Sequence, residues 1–291
     1  MNYYVKKALR DPQFMLVFVL AVILILIPIL APWIAPNDPI ENDYGNLMIP
    51  HSSKYPLGTD QIGRCFLSRL IYGGRTSMLI VFIVIAISAA VGILLGVLAG
   101  YLGGWVDTLI TRFTDIVIAV PQTVFVIALV SVLGPGLGNT ILAMSLVSWT
   151  EYCRVTRALV LSLKQNTYVE EGRMGGLKEG SVITRLILPN VFPHLLVLIT
   201  QDIGGKLLTL SGLSLLGLAS QPPTPEWGYM LSEGRQFMQS APRLIFYPGM
   251  TIVLNVVIFN LLGDSLRDIL DPRFTKKKTQ RRQMKLWKEN T

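Results

Sequence analysis

The sequence predicts an all-α, polytopic integral membrane protein with six transmembrane helices, and three observations carry that prediction. Of its 291 residues 51% are hydrophobic and only 15% charged, and the mean hydropathy of +0.51 lies far above that of a soluble domain. The apolar residues gather into segments long enough to cross a bilayer, which takes about 20 residues of helix. The Lys and Arg residues fall on alternate connections: with the N-terminus inside, 19 of the 26 lie inside, six outside, and Lys206 within a span. The net charge of +8 therefore points to membrane lipid headgroups and not to nucleic acid. Cys65 and Cys153 are the only cysteines, too few for a disulfide framework or a metal site.

Residues 1–13, with Lys6, Lys7 and Arg10, read as a cytoplasmic N-terminus. Residues 14–35 form the first span, about 33 Å of helix; a signal peptide shares the charged start but has a shorter apolar region. Pro28 and Pro32 should kink or end this helix. Residues 36–75 are extracytoplasmic, and their prolines at 39, 50 and 56 make them too irregular to cross lipid. Within them Thr59 or Asp60 is placed to cap a short helix along the outer surface, with Leu67, Leu70 and Ile71 on one face.

Residues 76–273 read as a five-span core. The second span, 77–102, carries Gly92, Gly96 and Gly100 at i, i+4 and i+8, a small-residue row that admits another helix. Residues 105–115 read as a turn, and 116–133 as a third span broken at Pro121. After Gly134-Pro135-Gly136 the fourth span runs from Asn139 past Arg154 towards the next loop. Glu151 with Arg154 and Arg157 suggests either charge pairing at its inner end or a solvated surface. The fifth span covers 192–218 and the sixth 244–262. Between them, prolines at 222, 223 and 225 exclude regular structure, and Trp227 and Tyr229 suit an aqueous interface. Residues 274–291 are a basic cytoplasmic tail, at most a lipid-binding strip.

Residues 164–190 form a polar loop between two spans. Thr167 and Glu170 stand in the T-x-x-E relation of a capping box, and Gly175-Gly176 suit a helix end. Ser181 is a candidate N-cap for a second helix, and Pro189 a point of bending. Local chemistry alone leaves this an ordinary cytoplasmic hairpin.

Spacing adds more. Glu170, Gly176, Leu188 and Pro189 stand as in the EAA loop of ABC importer permeases, which this segment resembles. It departs from that pattern at Glu171 and Gly172, which fill the alanine positions, and at Leu186, which replaces Ile. Residues 55–75, YPLGTDQIGRCFLSRLIYGGR, are similar to a signature of the dipeptide, oligopeptide and nickel permease subfamily, with Cys65 in place of Asp. Residues 221–235 and 263–273 resemble two further motifs of that subfamily. The resemblance implies the C-type permease subunit of an ABC importer for short peptides, nickel or a metal chelate. It would sit in the bacterial inner membrane with both termini cytoplasmic. Its partners would be a homologous permease, an extracytoplasmic solute-binding protein and two cytoplasmic ATPases that carry ATP and Mg. Glu170, Glu171, Gly172, Gly176, Leu186, Leu188 and Pro189 would couple to an ATPase. Leu57, Gly58, Thr59, Asp60, Gly63 and Arg64 would form an extracytoplasmic gate or a structural plug.

No catalytic constellation is present. The Gly205-Lys206 pair has Thr200 where a Walker motif needs its first Gly, and His51 and His194 fall on opposite sides of the membrane. The chain is expected to be no enzyme, and to bind no metal or cofactor itself. Asp202 and Lys206, at i and i+4 in the fifth span, share one helical face. They read as a structural ion pair or as pathway charges that attract a carboxylate-bearing substrate. Lys206 replaces a small residue of the subfamily, and Leu210 a Glu. Two other classes stay open: a secondary transporter using Asp107, Asp115, Asp202 and Lys206 as coupling groups, and a scaffold without transport. A P-loop ATPase partner separates both from the importer.

Overall fold

The computed structural model describes residues 7–270, so the tail and the end of the 263–273 motif lie outside the described residues. Within them the elements are helical: α1 (Pro12–Ile29), α2 (Ala31–Ile34), α3 (Phe66–Leu102), α4 (Gly104–Ile118), α5 (Gln122–Leu133) and α6 (Leu137–Lys164). There follow α7 (Thr167–Met174), α8 (Glu179–Val182), a π-turn (Ile183–Ile187), α9 (Leu188–Leu215), α10 (Trp227–Gly234) and α11 (Arg243–Leu270).

Contacts between helix ends sort the chain into two levels. At one, Lys164 Nζ donates to the Tyr101 carbonyl at 2.6 Å and the Tyr101 hydroxyl reaches Glu179, which brings together the ends of α3 and α6 and the start of α8. At the other, Gly136 N–H donates to the Leu218 carbonyl at 3.1 Å. There too Trp227 Nε1 donates to the Leu70 carbonyl at 2.8 Å, and Arg243 to those of Met48 and Ile49 at 2.7 and 2.8 Å. Lys7 Nζ donates to the Ile269 carbonyl at 2.8 Å, so α1 begins where α11 ends, and a cation there suits the helix dipole. The segments that link the two levels are α1, α3, α4 with α5, α6, α9 and α11. By length and composition, four helices among the described residues are apolar enough to cross a membrane, and five spans result if the α4–α5 pair is one. α6, with Glu151, Arg154 and Arg157, is not among them.

Local chemistry explains the breaks. α1 keeps Pro28 inside and stops at Leu30, and Pro32 sits in the first turn of α2, where its missing N–H costs nothing. The expected short outer helix does not form separately: Leu67, Leu70 and Ile71 are the first turns of the 37-residue α3, which nothing interrupts before Gly103 at φ +70°. The expected turn at 105–115 is also corrected, because those residues are helical in α4; the bend comes after it, at Pro121, where α4 and α5 meet at 82°. Asn139 Nδ2 then satisfies the Leu133 and Gly134 carbonyls at 2.9 and 3.0 Å. The bend expected at Pro189 is taken up by the π-turn: the proline ring would clash with the carbonyl of Arg185, and the wider turn makes room for it.

The glycine row is the tightest seam. A Cβ at Gly92 would strike the Trp149 carbonyl and Tyr152; at Gly96 it would lie 2.6 Å from the Cys153 carbonyl and from Thr156 Cβ; at Gly100, 2.9 Å from the Arg157 carbonyl and Val160 Cβ. α3 and α6 therefore touch backbone to side chain over three turns, the dispersion-driven packing that lipid favours. Large apolar side chains such as Leu16, Val19, Leu26 and Ile29 of α1 stay exposed, as a lipid-facing surface requires.

Gly96→Val is expected to lower the thermal midpoint of the detergent-solubilised subunit, with an overpacking cost of at least about 1–3 kcal/mol. Gly212→Ala, whose Cβ would meet nothing within 4 Å, should leave it unchanged or raise it; equal behaviour of the two variants would contradict the seam.

Candidate functional site

The predicted coupling residues come together in an elbow at the first level. α7 packs through Val169, and α8, the π-turn and α9 through Val182, Ile187, Val191 and Leu195, onto Val97, Tyr101 and Val160. This cluster is separate from the main core, so the elbow has its own apolar base on α3 and α6. Gly176 takes φ +82° and reverses the chain after α7. The two expected caps are corrected. Asn166, not Thr167, caps α7 without a side-chain bond, and Lys178 precedes α8, its carbonyl accepting from Ser181 and Val182 at 2.8 and 3.0 Å; Ser181 itself lies inside the helix. The solvent side carries Glu170, Glu171, Gly176 and Pro189, with Met174 88% exposed at the tip.

Two departures from the EAA pattern turn out to touch. A Cβ at Gly172 would lie 2.6 Å from Leu186 Cδ1. Glycine in α7 thus leaves room for the leucine, which branches at Cγ where isoleucine branches at Cβ, and each exchange makes sense beside the other.

Tyr101 joins the elbow to α3. Its hydroxyl bonds Glu179 of α8, and the cations of Lys164 and Arg173 lie 5.5 and 5.3 Å from its ring centroid. Arg173 also stands 3.8 Å from Glu179. Sequence reading missed Tyr101; its only signal was an aromatic residue directly after the glycine row.

At the second level the six predicted gate residues form one folded cap. Gly58 and Gly63 have φ of +80° and +83°, with the Ile49 and Asp43 carbonyls where a Cβ would stand. Thr59 Oγ1 donates to the Asn46 carbonyl and accepts from Ile49 N–H at 3.0 Å. Hydrogen bonds from Asn46 and then Tyr55 hold the Asp43 carboxyl below its usual range. Asp60 accepts from the Ile62 and Arg64 N–H groups at 3.0 and 2.9 Å, and takes Arg64 Nε at 2.6 Å. It also pairs with Arg69. Glu233 of α10 closes the ring, with Arg64 at 2.8 Å, Arg69 at 2.6 Å and Gln61 Nε2 at 3.0 Å. Asp60, Arg64 and Arg69 are buried, so this is a desolvated ring of two cations and two anions. Arg69 and Glu233 stood inside the quoted motifs, but no spacing rule joins positions so far apart.

Trp227 is not at an aqueous interface, as expected from its loop, but 3% exposed against Gly73 and Gly74. The fully buried Glu226 orients it by capping α10, accepting from Gly228 and Tyr229 N–H at 2.9 and 2.8 Å and from Ser77 Oγ at 2.9 Å. Between the levels, Lys206 Nζ meets Asp202 Oδ1 at 3.0 Å, Tyr152 donates to Asp202 Oδ2 at 2.7 Å, and Lys206 is 4% exposed. Of the two readings of Glu151, Arg154 and Arg157, pairing among the three is not what forms: Arg157 binds Asp107 at 2.5 and 2.7 Å, and Arg154 reaches Asp115 at 3.5 Å. Those aspartates come from α4, where the sequence predicts a turn.

A chain with an anchored elbow at one level and a sealed cap at the other can be compared with known proteins. Residues 92–276 match the family described as binding-protein-dependent transport system inner membrane component. The chain belongs to this family. A dipeptide transport system permease protein, DppC, of Haemophilus influenzae is 44% identical over 245 residues, 82% of this chain and 83% of that one. A glutathione transport system permease protein, GsiD, of Shigella flexneri is 43% identical over 231 residues, 79% and 76% of the two chains. A chain from an inward-facing structure of the MetNI methionine ABC transporter aligns with TM-score 0.57 over 70% of this chain and 98% of its own, at 15% identity, and so supports the fold. Family membership makes this a multi-pass ABC importer permease, a transport component and not an enzyme, and sets aside the secondary transporter and the scaffold.

Glu233→Ala is expected to destabilise the outer cap by about 3–5 kcal/mol, because the buried Arg64 and Arg69 lose a counter-charge. Limited proteolysis should then cut within residues 36–65 at least tenfold faster, by roughly the factor that each 1.4 kcal/mol gives; an unchanged rate would mean the ring carries no load.

Proposed function

We propose that this chain pairs with a homologous permease to form the membrane pathway of a bacterial short-peptide importer. Two cytoplasmic ATPases, holding ATP and Mg, drive it, and an extracytoplasmic solute-binding protein loads it. Peptides are preferred to nickel or a metal chelate because the relatives are named for dipeptide and glutathione transport. The elbow level is cytoplasmic in this reading, since the Lys and Arg excess falls there. Both termini then lie inside, and α6 is the sixth crossing, with Arg157 neutralised by Asp107.

The observation that carries the reading is the elbow's attachment: an exposed tip on an apolar base, tied through Tyr101 to the end of a helix whose other end carries Arg69 of the outer cap. A push from an ATPase on Glu170, Glu171 and Met174 reaches α3 directly, and rigid-body motion of α3 against its partner is the kind of change that alternates access. The cap residues Leu57, Gly58, Thr59, Asp60, Gly63 and Arg64 serve as the closed outer side. Asp202 and Lys206 serve as a structural pair, their charges satisfied by each other and by Tyr152.

The test is coupling. Gly176→Pro imposes a φ near −65° where +82° is needed, and should lower peptide uptake by the assembled importer about 5- to 150-fold, the range of typical coupling energies. Insertion and assembly should persist. If uptake and binding-protein-stimulated ATP hydrolysis both survive, the elbow is not the docking site.

A further inference from the structure

A cavity of about 280 Å³ opens at the α4–α5 bend and is lined by Pro121, Gln122, Thr150, Glu151 and Arg154 among apolar side chains. Glu151 lies midway along α6, fourteen residues after Leu137 and thirteen before Lys164, hence about 20 Å from either end. It is exposed, and among the described residues no hydrogen bond or ion pair takes its carboxylate. A carboxylate at that depth facing lipid costs at least about 2.5–3.5 kcal/mol, so its face must open on water, a ligand or a partner chain.

The neighbours narrow the choice. Arg154 stands one turn further on, and its contact with Asp115 of α4 is long, with both side chains about half exposed, a pair of little strength. Residues at i and i+3 lie about 5–6 Å apart at Cβ. Glu151 and Arg154 thus stand one turn apart on α6 and bring both signs of charge to the same cavity, as the two charged ends of a short peptide would need. Asp202 and Lys206 of α9 also act electrostatically on Glu151, but they are already paired with each other. Gln122 Nε2 donates to Ser148 Oγ at 3.0 Å, which fixes one wall of the bend. The apolar remainder offers no hydrogen bonds to select among side chains, as a carrier of varied peptides requires.

We propose that this cavity is a membrane-level binding site for a short peptide in zwitterionic form, with Glu151 taking the α-ammonium and Arg154 the α-carboxylate. The inference rests on the peptide-import reading above. It is tested in the complete importer in proteoliposomes, with peptide-loaded binding protein, by counting peptides accumulated per ATP hydrolysed. Glu151→Gln should lower that ratio by about 10- to 100-fold, as expected from losing one charge-assisted hydrogen bond, with ATP hydrolysis kept. Glu151→Asp should restore most of it. An unchanged ratio in Glu151→Gln overturns the site, whether the absolute rates hold or fall together as a contact with the partner permease would give. So does a Glu151→Asp as impaired as the amide. A wild-type importer that hydrolyses ATP but accumulates no peptide fails earlier, and takes the peptide-import reading with it.

Discussion

The close approach of α3 and α6 is the contact on which the other features depend. With Gly92, Gly96 and Gly100 the two backbones come together over three turns, and no hydrophobic force is needed where the surroundings are as apolar as the helices. The seam holds Tyr101 beside Lys164 at one level. At the other it sets Arg69 and Ser77, on the same helix, against Glu233 and Glu226. Because α3 is continuous over 37 residues, the geometry of one level is referred to the other without a hinge.

Charge placement follows the same economy of desolvation. Within the bundle the ionic groups satisfy one another: Asp60, Arg64, Arg69 and Glu233 in a ring, Asp107 with Arg157, Asp202 with Lys206. Glu226 is held by three donors instead of a cation. Such groups are costly to leave alone and of uncertain benefit when paired, so their value lies in fixing which segment meets which. The outer cap illustrates this, since Asp60 and Glu233, far apart in sequence, are joined through Arg64 and Arg69.

Much of this was legible in the sequence, for identifiable reasons. Hydropathy marks four spans, or five with the α4–α5 pair, the glycine row marks the seam, and Gly176 marks the reversal after α7, because each is a local property read along the chain. The Asp202–Lys206 pair was legible for the same reason, at i and i+4. What escaped was non-local. Trp227 looked interfacial from its proline-rich loop, yet Glu226 and Ser77 turn it inward. The partners of Arg157 and Arg154 were out of view, because the sequence predicts a turn where α4 carries Asp107 and Asp115. The caps at Thr167 and Ser181 failed because neighbouring backbone carbonyls supplied the acceptors instead.

The π-turn has a consequence for phase. Val182, Ile187, Val191 and Leu195 are all buried in one cluster, a spacing of five and then four and four, whereas an unbroken α-helix would have turned Leu186 inward in place of Ile187. The one-residue slip releases Leu186 to sit over Gly172. Sequence alignment across this stretch is therefore also an alignment of angle. Removing a single residue between 183 and 187 would swing everything upstream by about 100° around the axis of α9, aiming the elbow's tip elsewhere as well as shortening the spacing from Gly176 to Leu188.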